Sequence, residues 1–162
     1  MARGVGVIQT ERLMLRGIDE TDAEAIVDWR SAPDVYKYFK FPNKITIEQH
    51  LDWYCNRYLS NENRFDWICI EKESGQRIGV FGLAREEDQA EVNYLLSPDA
   101  QHKGYANEAI RGLIKYASET WNVRLVVAEI HEDNTPSISL VEKMGFTLMS
   151  CVKPFVVYGI EV

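Results

Sequence analysis

The stretch "DAQHKGYANEA", residues 99–109, sets chemistry-bearing residues in a tight order. A strand-like run, "AEVNYLL", stops before it at Pro98, and a helix-like run follows Gly104. The first turn of a helix has backbone N–H groups without an intrahelical partner, and with the helix dipole they attract an anion. Gly104 lets the backbone approach a ligand closely and takes dihedrals that a larger residue resists. Lys103 adds positive charge, and Tyr105, Ala106 and Asn107 keep carboxylates out of the first turn until Glu108. The arrangement suits a diphosphate seated on the amides of residues 102–107. The structural alternative is a glycine that only starts a helix, with Lys103 a solvated charge. The familiar nucleotide signatures are missing: no GxxxxGK run is present, and no GxGxxG follows a strand.

Other residues are suited to moving protons. Glu91 lies on the strand before this loop, and Glu129 and His131 lie near the end of a later strand, "VRLVVAEIH". Each also has a structural reading: Glu91 as the polar face of a half-exposed strand, Glu129 as a cation's partner or a cleft lining, His131 as a strand-end histidine. His102 reads as a loop residue whose backbone, rather than imidazole, meets phosphate. Cys55, Cys69 and Cys151 are far apart and odd in number, with no CxxC or Cys/His cluster, so no zinc site is expected. None has an obvious base partner for covalent catalysis.

The elements that hold these residues follow from periodicity. Residues 7–17 alternate as a strand, and residues 19–32 read as a helix that Asp19 or Thr21 caps and Pro33 ends. A second helix, residues 46–60, is capped by Thr46. Three strand signals follow, "RFDWICIEK", "RIGVFGLA" and "AEVNYLL", separated by turns, as in an antiparallel meander. A helix over residues 104–121 then carries Ala106, Ala109, Ile110, Leu113, Ile114 and Ala117 on one stripe. After it comes a near-continuous apolar strand, residues 123–131, suited to burial on both faces. "NTPSISLVEKMG" is a helix with Asn134 as cap, Pro136 in the first turn and Gly145 as stop, and two closing strands follow. The order β-α-α-β-β-β-α-β-α-β-β predicts a mixed α/β chain of about seven strands and about four helices. The unit from residue 89 to residue 131 predicts a crossover, hence one parallel pair.

Composition bounds the rest. The 162 residues match one ordinary domain, residues 1–162, and 46% apolar residues suffice for a core. A net charge of −7 disfavours nucleic acid and anionic membranes and mildly favours a cationic substrate. Arg3 is followed by no long apolar run, and no 18-residue apolar segment exists, so neither a leader nor a membrane span is expected. The cysteines then point to a reducing, cytoplasmic setting.

Taken together, the motifs are similar to those of the GNAT N-acetyltransferase superfamily. "QHKGYA" resembles its acyl-CoA loop, Gln/Arg-x-x-Gly-x-Gly/Ala, and "EDNTPSISLVEKMGF" resembles its second signature, Asn-x-x-Ser-x-x-x-x-Glu-Lys-x-Gly-Phe. "TERLMLR" and "VVYGI" resemble the RimJ/RimL branch, whose members acetylate protein N-termini and other amines. The resemblance covers nearly the whole chain. It implies a mostly antiparallel twisted sheet with a splayed parallel strand pair, residues 89–96 and 123–131, as an acetyl-CoA cleft, and a bulge near residues 93–96. It implies that backbone groups of Tyr94, Leu95 and Leu96 meet the pantetheine arm and thioester. It places the pyrophosphate on Gln101, His102, Lys103, Gly104, Tyr105, Ala106 and Asn107. Asn134, Ser137 and Lys143 would contact pantetheine, sulfur and CoA phosphates respectively.

The reaction implied is direct attack of an amine on acetyl-CoA in a ternary complex, without metal. Such an amine, with a pKa of about 10.4 for Lys or about 8 for an N-terminus, is mostly protonated at neutral pH. The resemblance makes Glu91 the first candidate base, because the family often places a Glu on this strand, with Glu129 and His131 as alternatives. Many relatives protonate the leaving thiolate with a Tyr six or seven residues after Asn134, but Leu140 and Val141 stand there; Ser137 matches the residue given the sulfur contact in the RimJ/RimL branch. The departure keeps open a noncatalytic acyl-CoA sensor of the same fold. Tyr36, Tyr38, Phe39, Phe41, Trp53, Tyr54 and Phe155 are candidates to line the acceptor pocket, or to be core. The acceptor, a protein N-terminus such as a ribosomal protein's or a small amine, and the state, monomer or homodimer, stay open.

Overall fold

The alternation at the N-terminal end yields two strands rather than one. In the computed structural model, which describes residues 5–162, β1 (Ile8–Gln9) and β2 (Leu13–Gly17) pair antiparallel. The Thr10 amide donates to the Leu13 carbonyl at 2.9 Å and closes the turn between them. The sheet therefore has eight strands, one more than the periodicity predicts. Arg3, on which the leader reading rests, lies outside the described residues.

The chain continues through α1 (Ala23–Arg30), α2 (Pro33–Tyr36), α3 (Ile47–Trp53), β3 (Arg64–Glu71), β4 (Arg77–Glu86) and β5 (Gln89–Leu96). It ends with α4 (Tyr105–Trp121), β6 (Leu125–His131), α5 (Thr135–Lys143), β7 (Thr147–Val152) and β8 (Phe155–Glu161). The first helix starts later than the sequence predicts. Asp19 caps a 3-10 turn, Glu20–Asp22, through a reciprocal box with Asp22. Pro33 both ends the first helix and opens α2, because its fixed φ suits a first helical turn. The second predicted helix ends in a π turn, Tyr54–Tyr58, whose wider winding brings both tyrosines inward; the Tyr58 hydroxyl accepts from the Asp66 amide at 2.7 Å.

One sheet runs in the order β1-β2-β3-β4-β5-β6-β8-β7. Among the described residues only the β5–β6 pair is parallel, as the helical crossover through α4 requires. Helices cover both faces. The α4 stripe of Ala109, Ile110, Leu113 and Ala117 packs on Leu13, Phe81, Val92 and Val126. On the other face, Ile26, Trp29, Tyr54 and Tyr58 pack on Ile68 and Leu95. Trp67 and its neighbour Ile68 are both fully buried, so β3 is covered on both faces. Each large buried side chain contributes about 1.5–3 kcal/mol.

The decisive feature is where β5 and β6 stop pairing. They are in register at Gln89↔Leu125, Ala90↔Val126 and Glu91↔Val127, and then part. Past that point β5 stays with β4 as far as Gly79↔Leu96, while β6 stays with β8 as far as His131↔Phe155. Each strand has a long partner on its outer side, and the twist of the two ladders carries the inner edges apart. The bulge expected near residues 93–96 is absent: the β4–β5 register runs one to one from Glu86↔Gln89 to Gly79↔Leu96. The strands separate by twist, without an inserted residue.

Candidate active site

The wedge between β5 and β6 opens into a cavity of about 670 Å3, floored by the strands and walled by α4, α5 and α2. The Ser97 amide donates to the Ile78 carbonyl at 2.8 Å, which sets the phase of the β4–β5 ladder. By alternation, the amides of residues 93 and 95 bond β4, and those of Tyr94 and Leu96 point to the edge that β6 has left. Leu95 also lines the cavity.

The loop before α4 is shaped by two left-handed residues, His102 at φ 63° and Gly104 at φ 80°. A Cβ on Gly104 would stand 3.4 Å from Arg12 Nη2, so both backbone conformation and space favour glycine. No side chain caps this helix, and its first amide with a carbonyl in reach, Glu108, donates to Gly104 at 3.1 Å. The amides of Tyr105, Ala106 and Asn107 thus form the open first turn. Gln101, His102, Gly104, Tyr105, Ala106 and Asn107 all line the cavity. Lys103 stands outside the lining, its carbonyl accepting from Arg12 Nη1 at 2.9 Å.

A brace that sequence reasoning missed holds this loop. The Glu108 carboxylate accepts from the Thr10 hydroxyl, from the Arg12 amide at 2.8 Å and from Arg12 Nε at 2.7 Å. Burial alone would raise the Glu108 carboxyl, but these bonds outweigh it and hold the group below its ordinary range. The negative charge is thereby tied back, away from the open amides. The Arg12 guanidinium lies 4.4 Å over the Tyr105 ring, and the Tyr105 hydroxyl donates to Glu71. Arg12 sits in "TERLMLR", but 96 residues separate it from Glu108, and no local pattern links the two.

At the inner end of the cavity, Tyr94 stacks on Phe81 with ring centroids 5.5 Å apart and planes 11° from parallel. Its hydroxyl lies 2.9 Å from Ser137 Oγ, on the first turn of α5. Burial pushes the Tyr94 phenol up, and the Ser137 bond offsets this only in part. Asn134 caps α5, accepting from the Ser137 amide at 3.4 Å. Leu140, Val141 and Lys143 line the same wall.

Of the proton-moving candidates, Glu129 and His131 line the main cavity, and Glu91 lies outside it. Glu91 and Glu129 border a second cavity of about 330 Å3 with Arg85 and Glu86, and Glu129 also reaches the main one. Glu91 is half-buried; burial raises its carboxyl first, the Glu129 charge adds to this, and Lys40 opposes it. The Lys40 ammonium pairs with Glu129 at 2.8 Å. His131 packs between the rings of Tyr38 and Phe155, at 5.6 and 5.5 Å. Its Nδ1 accepts from the Asp133 amide at 3.1 Å, which leaves the proton of the neutral ring on Nε2. Of the candidate acceptor aromatics, Tyr38 and Phe39 line the main cavity, Tyr54 and Trp53 belong to the core packing, and Phe41 is exposed.

A splayed parallel pair and an uncapped glycine helix start line one continuous cavity. The sequence matches the acetyltransferase (GNAT) domain family over residues 12–147. The chain belongs to that family. GNAT acetyltransferases take their acetyl group from acetyl-CoA, and this protein is an acetyl-CoA-dependent acyltransferase of that kind. It is 34% identical over 146 residues to the uncharacterized N-acetyltransferase p20 of Bacillus licheniformis, covering 86% of this chain and 81% of that protein. Its fold matches RimL, the ribosomal L7/L12 alpha-N-protein acetyltransferase solved with coenzyme A, at TM-score 0.85 and 17% identity, over 97% of this chain and 98% of that one. It also matches the spermidine N-acetyltransferase of Vibrio cholerae, solved with CoA and spermine, at TM-score 0.82 and 17% identity, over 93% and 95% of the two chains. Among the described residues, no cluster of His, Cys, Asp and Glu is built to hold a metal, and no helix is long and apolar enough to cross a membrane.

Proposed function

We propose that the whole chain, residues 1–162, is one RimJ/RimL-like N-acetyltransferase domain that acetylates a cationic primary amine in the cytoplasm, as a monomer or homodimer. The diphosphate of acetyl-CoA rests on the open amides after Gly104, with Gln101, His102, Lys103, Tyr105, Ala106 and Asn107 around it. The pantetheine arm runs along the freed edge of β5 and bonds the amides of Tyr94 and Leu96, with Leu95, Asn134, Ser137 and Lys143 beside it. An amide aimed at the thioester oxygen stabilises the charge that develops there. Glu91 takes the proton of the incoming ammonium, directly or through water. Its half-buried, upward-shifted carboxyl is the state expected of a base working near neutral pH.

The observation that carries this reading is the splay that begins past Glu91↔Val127, because it leaves a free amide edge on one cavity and sets Glu91 in a neighbouring cavity that shares Glu129 with it. The acceptor is a peptide N-terminus or a small amine such as a polyamine. Two structural relatives act on these classes, and the carboxylates Glu86, Glu91 and Glu129 at the acceptor side suit a cation. Thiol release from acetyl-CoA across a panel of N-terminal peptides, polyamines and lysine-like amines tests the reading. Turnover of at least one cationic amine is expected; the same rate with and without every amine overturns it.

A further inference from the structure

The resemblance gives Ser137 the sulfur contact but names no source for the proton it would pass on, and Leu140 and Val141 offer none. Two hydroxyls are placed together in the cavity instead. Tyr94, from β5, and Ser137, from α5, reach across the wedge from opposite walls and meet at 2.9 Å. Both line the cavity, on the flank of the edge where the Tyr94 and Leu96 amides emerge. The Tyr94 ring is fixed by its stack on Phe81, so its hydroxyl has little freedom to swing away. Ser137 sits in the first turn of a helix capped by Asn134, which fixes its position from the other side.

We propose that Tyr94 and Ser137 form a two-hydroxyl relay that protonates the leaving sulfur of coenzyme A, with Tyr94 as the proton source. This rests on the acetyltransferase reading above. The amine nitrogen forms its bond to the acetyl carbon, and the carbonyl electron pair moves onto oxygen. When the carbonyl re-forms, the carbon–sulfur bond breaks and its electron pair stays on sulfur. Sulfur takes the Ser137 hydroxyl proton as Ser137 takes the phenol proton of Tyr94. The phenolate regains a proton from solvent; counted from the incoming ammonium, nitrogen gives up two protons through the base to solvent, so that in net one proton ends on sulfur and one in bulk water. A serine hydroxyl alone is a poor acid, whereas a phenol, even one raised by burial from its reference pKa of about 10, is a stronger one and lies closer to a thiol at about 8.5. Burial raises this phenol, and the Ser137 bond opposes the rise only in part. Tyr94 therefore stays protonated, and ready to donate, through neutral pH.

The test uses the intact protein and the best amine from the panel. Tyr94→Phe keeps the ring over Phe81 and removes only the oxygen. The relay predicts that kcat falls at least twentyfold in Tyr94→Phe and in Ser137→Ala, while KM for acetyl-CoA stays within threefold. The double variant should be no slower than the worse single one, because the two hydroxyls act as a unit. Placing 3,5-difluorotyrosine at position 94, a more acidic phenol, should move the alkaline limb of the kcat profile to lower pH, a shift that a purely structural hydroxyl would not cause. A Tyr94→Phe variant within threefold of the native kcat, multiplying losses in the double variant, or an unmoved alkaline limb each overturns the relay alone. A native protein that turns over no amine overturns the acetyltransferase reading, and the relay with it.

Discussion

At the scale of single residues, the chemistry turns on how charge is balanced around Glu91. Its carboxyl is raised by burial and by Glu129 and lowered by Lys40. A base with a raised pKa is protonated, and inactive, over a wider acid range, so the acid limb of kcat/KM should sit above the ordinary carboxylate position. Lys40→Met removes the cation that opposes the shift most, so the limb should move further toward neutral pH. An acid limb that stays in place when Lys40 is lost would take Glu91 out of the role. Glu91→Gln should lower kcat/KM by about 100-fold or more, the scale of a lost general base. Glu91 was a candidate through the family resemblance, which often places a Glu on this strand; alternation alone marked only a polar face. Lys40 was not, because a residue of the segment between α2 and α3 meets β6 only in the folded chain.

At the scale of elements, the start of α4 is the part most exposed to a single substitution. Gly104→Ala forces a side chain into a left-handed backbone, at about 1–2 kcal/mol, and sets a methyl against Arg12. If the strain is relieved by reshaping the loop, coenzyme A affinity should weaken about five- to thirtyfold by calorimetry. An unchanged Kd in a folded Gly104→Ala protein would move the diphosphate off these amides. The helix itself was legible, because its stripe of small and apolar residues keeps one face toward the sheet. The Arg12–Glu108 brace was not legible, since β2 and α4 meet through the sheet and not along the chain. The opening of α2 at Pro33 and the π turn at Tyr54–Tyr58 were missed for a related reason. Local periodicity marks where a helix can run, while packing decides how it ends.

At the scale of the whole molecule, stability should fall in mild acid for a reason that lies far from the cleft. His50 is almost fully buried, and its Nε2 has no partner among the described residues. Burial, and then the charge of Arg30, lower its pKa below the ordinary 6.5. The unfolded chain therefore binds a proton that the folded chain refuses, so the stability is complete above about pH 6.5 and is lost as pH falls toward the folded value. His50→Leu should shrink the drop in Tm between pH 7 and pH 5.5, and parallel Tm curves for the two proteins would refute this. The same scale decides the site: β5 and β6 each follow a different outer partner, and the trough is what remains between them.

The amino-acid order by itself determined the succession of elements, the crossover that makes one strand pair parallel, and the glycine loop that opens α4. These depend on nearest neighbours, on a period of two or 3.6 residues, and on the backbone freedom of glycine and proline. Only the tertiary structure decided that the strands part by twist rather than through a bulge, and that Arg12 braces Glu108. It alone decided that Lys40 meets Glu129 and that Tyr94 meets Ser137. Those pairs are made by residues far apart in the chain, and their geometry follows from the twist of a sheet that no local pattern encodes.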